Sequence, residues 1–190
     1  NGLYAATIPK NTVIDQLYIN GERQRMARFP NAVAGKSVFD TWSLDHAAKA
    51  DSGMDPLSPE RIAQWKNPAG GFIHTMHEYL WGDMHWAIKG KNADGTLRYE
   101  GGWQNNRPSN MHPLYRMAEN IFEELDAPGE WFYDTKELRL YFMPAAGTDI
   151  TTATVEIVRL RHLIEFKGTK EKPVSGVNLE GFVFRHAARS

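Results

Sequence analysis

The sequence predicts a mainly β domain, a β-sandwich or partly closed barrel with one packed helix. Three observations predict it. Asn20-Gly21 stands between two extended runs in LYINGERQ, and a two-residue type I′ hairpin turn needs φ > 0 at both central positions, which these residues tolerate. Two aromatic runs, WFYD and LRLYFMP, flank a turn at Thr135 to Glu137, with Pro144 closing the second. One stretch alone carries a clear helical stripe: Leu114, Met117, Ala118, Ile121, Phe122 and Leu125 fall at helical spacing.

The other elements follow in chain order. Short strands fill the first third, and Asn31 to Gly35 reads as loop after Pro30. Ser43 to Ala50 has the pattern of a short helix. Ser58-Pro59-Glu60 starts another: Ser as N-cap, Pro at the first helical position, an acid at the positive end. Asn67-Pro68 ends it. FIHTMHEYLWGDMHWAIKG fits a helical face in part, but Gly82 and the dense aromatics favour two strands. Asn92 to Gly95 is a turn and Thr96 to Tyr99 a strand. Leu114 to Leu125 is expected as the packed helix, with Arg116, Glu119, Asn120, Glu123 and Glu124 on its other face and Pro128-Gly129 ending it. Glu123, Glu124 and Asp126 are then expected to be solvated. Val155 to Val158, Leu163 to Phe166, Val177 to Leu179 and Phe182 to Phe184 read as further strands.

The bulk composition narrows the function classes. The chain has 190 residues, a net charge of −1, 42% hydrophobic and 24% charged residues, an ordinary globular balance. Its Lys and Arg are spread along the chain, which argues against nucleic acid as a partner. No apolar run approaches the roughly 20 residues of a membrane helix. Absence of cysteine excludes a disulfide framework and a thiolate metal site. The chain opens NGLYAATIPK, already strand-like, as a trimmed piece of a longer protein would. No GxSxG, GxGxxG or phosphate loop occurs, so neither a serine triad nor a nucleotide cofactor is expected, and no other cofactor is implied.

Three constellations could carry chemistry. His74, His77, Glu78 and His85 are dense enough to raise a metal site, but HTMHE lacks the HExxH spacing, and on a strand His74 and His77 face opposite sides; no metal is expected. Glu130 with Asp134, and Asp83 with Glu100, are carboxylate pairs of the kind a glycosidase sets roughly 5 to 10 Å apart. Aromatic and polar residues mix in a third group: Trp81, Asp83, His85, Trp86, Tyr99, Trp103, Gln104, Asn105, Asn106 and Arg107. Flat aromatic faces suit the apolar faces of sugar rings, while amides and Arg suit hydroxyls. The alternative is that these tryptophans are core and the asparagines hold turns. From this group Trp81, Asp83, His85, Trp86, Trp103, Asn105, Asn106 and Arg107 are the candidate sugar contacts.

Two longer motifs carry a family resemblance. NIFEELDAPGEWFYD followed by LRLYFMP, and LYINGERQRMARFPN, resemble segments of bacterial right-handed parallel β-helix glycoside hydrolases and related β-helix proteins. The end, VNLEGFVFRHAARS, resembles the opening coil of such a solenoid. The resemblance implies a β-rich inserted domain over 1–172 and the start of a truncated β-helix over 173–190. It implies a secreted or periplasmic parent enzyme whose catalytic carboxylates lie on later coils, so no catalytic residue is carried onto this chain. The implied partners are carbohydrate and the rest of the parent's own β-helix. An accessory, non-catalytic domain that shapes the sugar cleft is the leading expectation. A structural cap of the solenoid, a stand-alone carbohydrate-binding module, a self-sufficient enzyme and part of a polysaccharide lyase are the rivals.

Overall fold

The computed structural model describes residues 2–33, 35–36, 55–104 and 107–188. The helix expected over Ser43 to Ala50 lies outside the described residues. What is described is mainly β, sandwich-like, with several sheets and one short α-helix.

The first core lies between two sheets. Strands β1 (Tyr4–Thr7), β4 (Arg25–Met26), β12 (Glu130–Asp134) and β13 (Arg139–Met143) form a four-stranded sheet in the order β1-β13-β12-β4. Strands β2 (Gln16–Ile19), β3 (Glu22–Arg23) and β14 (Val155–Val158) form a three-stranded sheet in the order β14-β2-β3. Leu17, Ile19, Trp131, Tyr133, Leu140 and Phe142 fill the space between them. The turn between β2 and β3 is the expected one, with φ of 52° at Asn20 and 79° at Gly21. Alternation in β12 works as the sequence implies: Trp131 and Tyr133 enter this core, while Phe132 joins Phe122 and Tyr141 on the other face.

The second core lies under a five-stranded sheet. Its strands are β5 (Arg28–Phe29), β6 (Phe72–His77), β7 (Asp83–Lys91), β8 (Leu97–Gly101) and β11 (Met111–Glu119), in the order β5-β11-β6-β7-β8. Helix α1 (Pro59–Gln64) begins where expected, its Ser58 side chain accepting from the Arg61 backbone N–H. Ile62 and Trp65 pack on Ile73, Trp86, Ile88, Ala118 and Ile121. A small ribbon of β9 (Trp103–Gln104) and β10 (Arg107–Pro108) completes the strands.

The expected helix over Leu114 to Leu125 is not formed, and the packed helix is α1 instead. The segment becomes β11, paired with β5 on one side and β6 on the other, and then a single 3-10 turn, Phe122–Glu124. Long-range pairing overrides a helical pattern here, because two neighbouring ladders satisfy the backbone that a helix would otherwise satisfy locally. Glu124 is accordingly buried, not solvated. It accepts from Trp65 Nε1 at 2.5 Å and from Arg61 Nη1 at 3.2 Å. Burial raises its pKa above the ordinary carboxylate range against the opposing effect of those two donors.

The last segment also differs from expectation. Leu163 to Phe166, Val177 to Leu179 and Phe182 to Phe184 join no ladder among the described residues, and their apolar side chains are exposed. A strand exists only by pairing, and no neighbouring strand is offered there. The segment touches the rest through His186, whose ring lies 3.7 Å from that of Tyr18, and through Ala187 O, which accepts from Gln16 Nε2.

Candidate functional site: an aromatic end of the five-stranded sheet

The turn joining β6 to β7 presents a run of exposed side chains. His77 N donates to Gly82 O at 2.7 Å and Leu80 N to His77 O at 2.8 Å, with Leu80 in the left-handed region at φ 61°. His77 fixes the turn with its ring as well, Nδ1 accepting from Tyr79 N at 2.9 Å. That bond sets the tautomer with the proton on Nε2. The indole of Trp81 lies parallel on the His77 ring, at 4.9 Å and 6°. Trp81 remains 67% exposed, so one indole face is backed by protein and the ring is held flat at the surface. Tyr79 lies 5.8 Å from it and is also exposed.

Trp103 is the second exposed indole, at 69%. Register brings it to the same end of the sheet. Trp86 pairs with Gly101 and Gly102 N donates to His85 O at 2.9 Å, which sets Trp103 next to the end of β7 that follows the turn carrying Trp81. Gly101-Gly102 is required by what lies beneath. A Cβ at Gly102 would sit 1.9 Å from the Trp86 indole, and one at Gly101 2.4 Å from His85 O. Trp86 itself is 5% exposed and belongs to the second core.

The remaining candidate contacts are spread around this end. Asp83 and His85 point outward from β7, 3.2 Å apart at Oδ2 and Nε2. Asn105, Asn106 and the Arg107 side chain lie outside the described residues. Sequence reasoning missed Tyr79 and the backing role of His77. The signal was there in the five-residue link from His77 to Asp83, too tight to bury Tyr79, Leu80 and Trp81 together.

Neither carboxylate pair is brought together. Glu130 and Asp134 lie four residues apart on β12, and Asp83 is offset by four residues from the position on β7 that opposes Glu100. Four residues of strand span roughly 13 Å, beyond glycosidase spacing. Asp134 is committed to the β12–β13 turn, accepting from Lys136 N and Glu137 N. Glu130 is buried beside Ala127 N. His74 and His77 face opposite sides of β6, and no three His, Asp or Glu side chains gather into a metal-holding group among the described residues.

The arrangement of sheets has a counterpart among solved structures. That structure is a glycoside hydrolase. It superposes with a TM-score of 0.66 over 98% of this chain, at 20% sequence identity. The match spans 34% of the glycoside hydrolase's own length, so what is shared is the fold of about a third of that protein. No protein-family model and no curated protein matches the sequence.

Two concave regions lie away from the aromatic end. A groove of about 580 Å³ runs between the cores, lined by Asn67, Phe122, Phe132, Asp134, Lys136 and Tyr141. A cavity of about 370 Å³ opens between β3–β5 and the outer face of the five-stranded sheet, lined by Arg25, Arg28, His74, Met117 and Glu119 among others. Arg28 is buried, with Nε donating to Pro30 O at 2.8 Å. Burial lowers its pKa, and the opposing pull of Glu119 is the next largest influence.

Proposed function

We propose that this chain is an accessory, non-catalytic domain of a secreted glycoside hydrolase, and that the aromatic end of its five-stranded sheet shapes a cleft for a polysaccharide or oligosaccharide. The observation that carries this reading is the pair of exposed indoles, Trp81 and Trp103, at one end of one sheet. An indole held flat with an open face offers a sugar ring CH–π and apolar contact at little entropic cost. Asp83 and His85 supply polar groups beside the indoles, and Trp86 supports the strand from below. The shared fold with a third of a glycoside hydrolase supports the assignment to a part of such an enzyme. Separation of both carboxylate pairs favours a non-catalytic role.

On this reading residues 1–172 are the β-rich domain and 173–190 open a parallel β-helix. The exposed Phe182, Val183 and Phe184 favour a segment built to stack on further coils. A purely structural cap is the second reading, and the two separate on one measurement. Titration of the chain with xylan-, glucan- and pectin-derived oligosaccharides, followed by indole amide NMR, is expected to move the Trp81 and Trp103 signals. Trp81→Ala and Trp103→Ala are each expected to weaken binding roughly tenfold, the cost of one lost stacking contact. No binding at millimolar sugar would leave the cap reading standing, and binding undiminished in both variants would show that the sugar contact is not at this aromatic end.

A further inference from the structure

The cavity between β3–β5 and the outer face of the five-stranded sheet gathers more positive charge than negative. Arg23, Arg25 and Arg28 line it against Asp15 and Glu119. Each carboxylate has its own neighbour. Asp15 accepts from Gln16 Nε2 at 3.2 Å, and Glu119 stands opposite Arg28 in the β5–β11 ladder. Arg23 and Arg25 are exposed, and no side-chain hydrogen bond or ion pair holds either of them among the described residues.

Register puts the three cations together. Arg23 lies opposite Tyr18 just after the Asn20-Gly21 turn, and Arg25 opposite Glu130 where β4 joins β12. β5 then carries Arg28 into the interior. Burial is the first cause of its lowered pKa. Glu119 and, more weakly, Glu130 oppose that effect, while Arg25 adds to it. Two guanidinium groups are therefore near enough to repel, one of them out of water. An anion seated between them turns the repulsion into two attractions, and a guanidinium fork fits a planar carboxylate two bonds at a time.

The rest of the wall says which kind of anion. Met26, Met117 and Trp131 line the same cavity and are nearly fully buried. Apolar groups beside cations suit an organic anion better than a bare inorganic one, which keeps its water. His74 also lines the cavity, with its side chain 7% exposed. Its Nε2 has no hydrogen-bond partner, although Glu119 Oε1 is 2.8 Å away. A buried polar atom left unsatisfied marks a place that a ligand or water completes. The volume, about 370 Å³, is at the small end of the roughly 300–1,000 Å³ of small-molecule sites.

We propose that this cavity binds a sugar acid, with Arg25 and Arg28 on its carboxylate, Arg23 at the mouth, and Met26 and Met117 against the ring. The site is separate from the aromatic end, and only the sugar part of the assignment rests on the carbohydrate reading above. Three cations against two anions leave one positive charge, which sets a modest affinity and one that salt weakens.

The test is ¹H–¹⁵N NMR of the indole and arginine Nε–H groups of the whole chain. Three probes are compared at constant ionic strength up to roughly 10 mM, the range of weak binding: methyl galacturonoside, neutral methyl galactoside and inorganic phosphate. Trp131 is the reporter, because its Nε1 donates to Gln24 O at 3.3 Å in the cavity wall. The acid is expected to move the Trp131 and Arg25 signals along one saturating curve, and the neutral sugar to leave them in place. Arg25→Gln is expected to weaken binding roughly tenfold, the loss of one charge-assisted contact. Its side chain is exposed, so the variant leaves both cores intact. A still Trp131 signal, an equal response to the neutral sugar, or undiminished binding in Arg25→Gln would overturn the proposal. Phosphate binding as tightly as the acid would mean an adventitious ion only, and would overturn it too. Trp81 and Trp103 report on the aromatic end in the same spectra, so failure at one site is read separately from failure at the other.

Discussion

Glu130 shows how one side chain sets the pH behaviour of a junction. It opens β12, directly after the Pro128-Gly129 break, and is nearly fully buried with Ala127 N as a donor at 3.2 Å. Burial is the largest influence on it, and Asp126 nearby adds to the same effect, so its pKa rises from an ordinary 4.5 to about 7. A carboxyl group with a raised folded-state pKa is protonated more readily in the folded chain than in the unfolded one. It therefore costs nothing below pH 4.5, where both states are protonated, and costs progressively more as pH rises to about 7. Above that the loss is constant at about 3 kcal/mol. Glu130→Gln is expected to be more stable than the parent at pH 8 by a margin of that order, and to match it at pH 4. Urea unfolding at the two pH values checks this; an equal difference at both would show that Glu130 is not the titrating group.

At the scale of elements, β11 teaches most. Its apolar spacing reads as a helix, yet a strand forms because β5 and β6 stand on either side of it. Arg116 is anchored across to Asp55, Nε donating to Oδ1 at 2.8 Å. Asn120 then ends the strand. It takes φ 56°, and its side chain donates to Gly70 O at 2.9 Å and accepts from Tyr133 N at 3.2 Å. That one residue ties the turn before β6 to the middle of β12, and so joins the two cores. Asn120→Ala loses both bonds and places a Cβ residue without local polar support in the left-handed region. A loss of about 2–3 kcal/mol is expected, with Asn120→Gly recovering the backbone part only. Chemical denaturation of both variants separates the two contributions. By contrast, the β2–β3 and β12–β13 hairpins and the start of α1 were legible in the sequence. Their signals, Asn20-Gly21, the aromatic runs and Ser58-Pro59-Glu60, act over a few residues and need no distant partner.

On the scale of the whole molecule, two separate apolar clusters hold the fold, and the segment after β14 contributes to neither. Its ties are the His186–Tyr18 ring contact, the 3.7 Å approach of His186 Nδ1 to Glu156 Oε1 and the Gln16–Ala187 bond. Removing residues 160–188 is expected to lower stability by no more than about 1 kcal/mol, a few exposed contacts' worth, and to reduce self-association by removing exposed Phe182, Val183 and Phe184. Calorimetry and light scattering on the shortened chain measure both effects. A fall of several kcal/mol would mean that this segment belongs to the core.

The candidate site was legible only in part. The density of Trp81, Trp86 and Trp103 stood out in the sequence, but which indoles face water did not. Alternation fixes Trp86 inward only once β7 is known to lie over α1, and Trp81 stays outside because the turn is too short to fold it back. By itself the sequence determined a mainly β chain, its tight turns and its one capped helix, because those depend on backbone preferences over a few neighbouring residues. The tertiary structure alone decided that Leu114 to Glu119 is extended, that Glu124 is buried, and that His74 meets His85. Each of those outcomes depends on a partner outside the local stretch, 11 residues away for His74 and His85 and 59 for Trp65 and Glu124, and no local preference encodes which strand arrives to supply it.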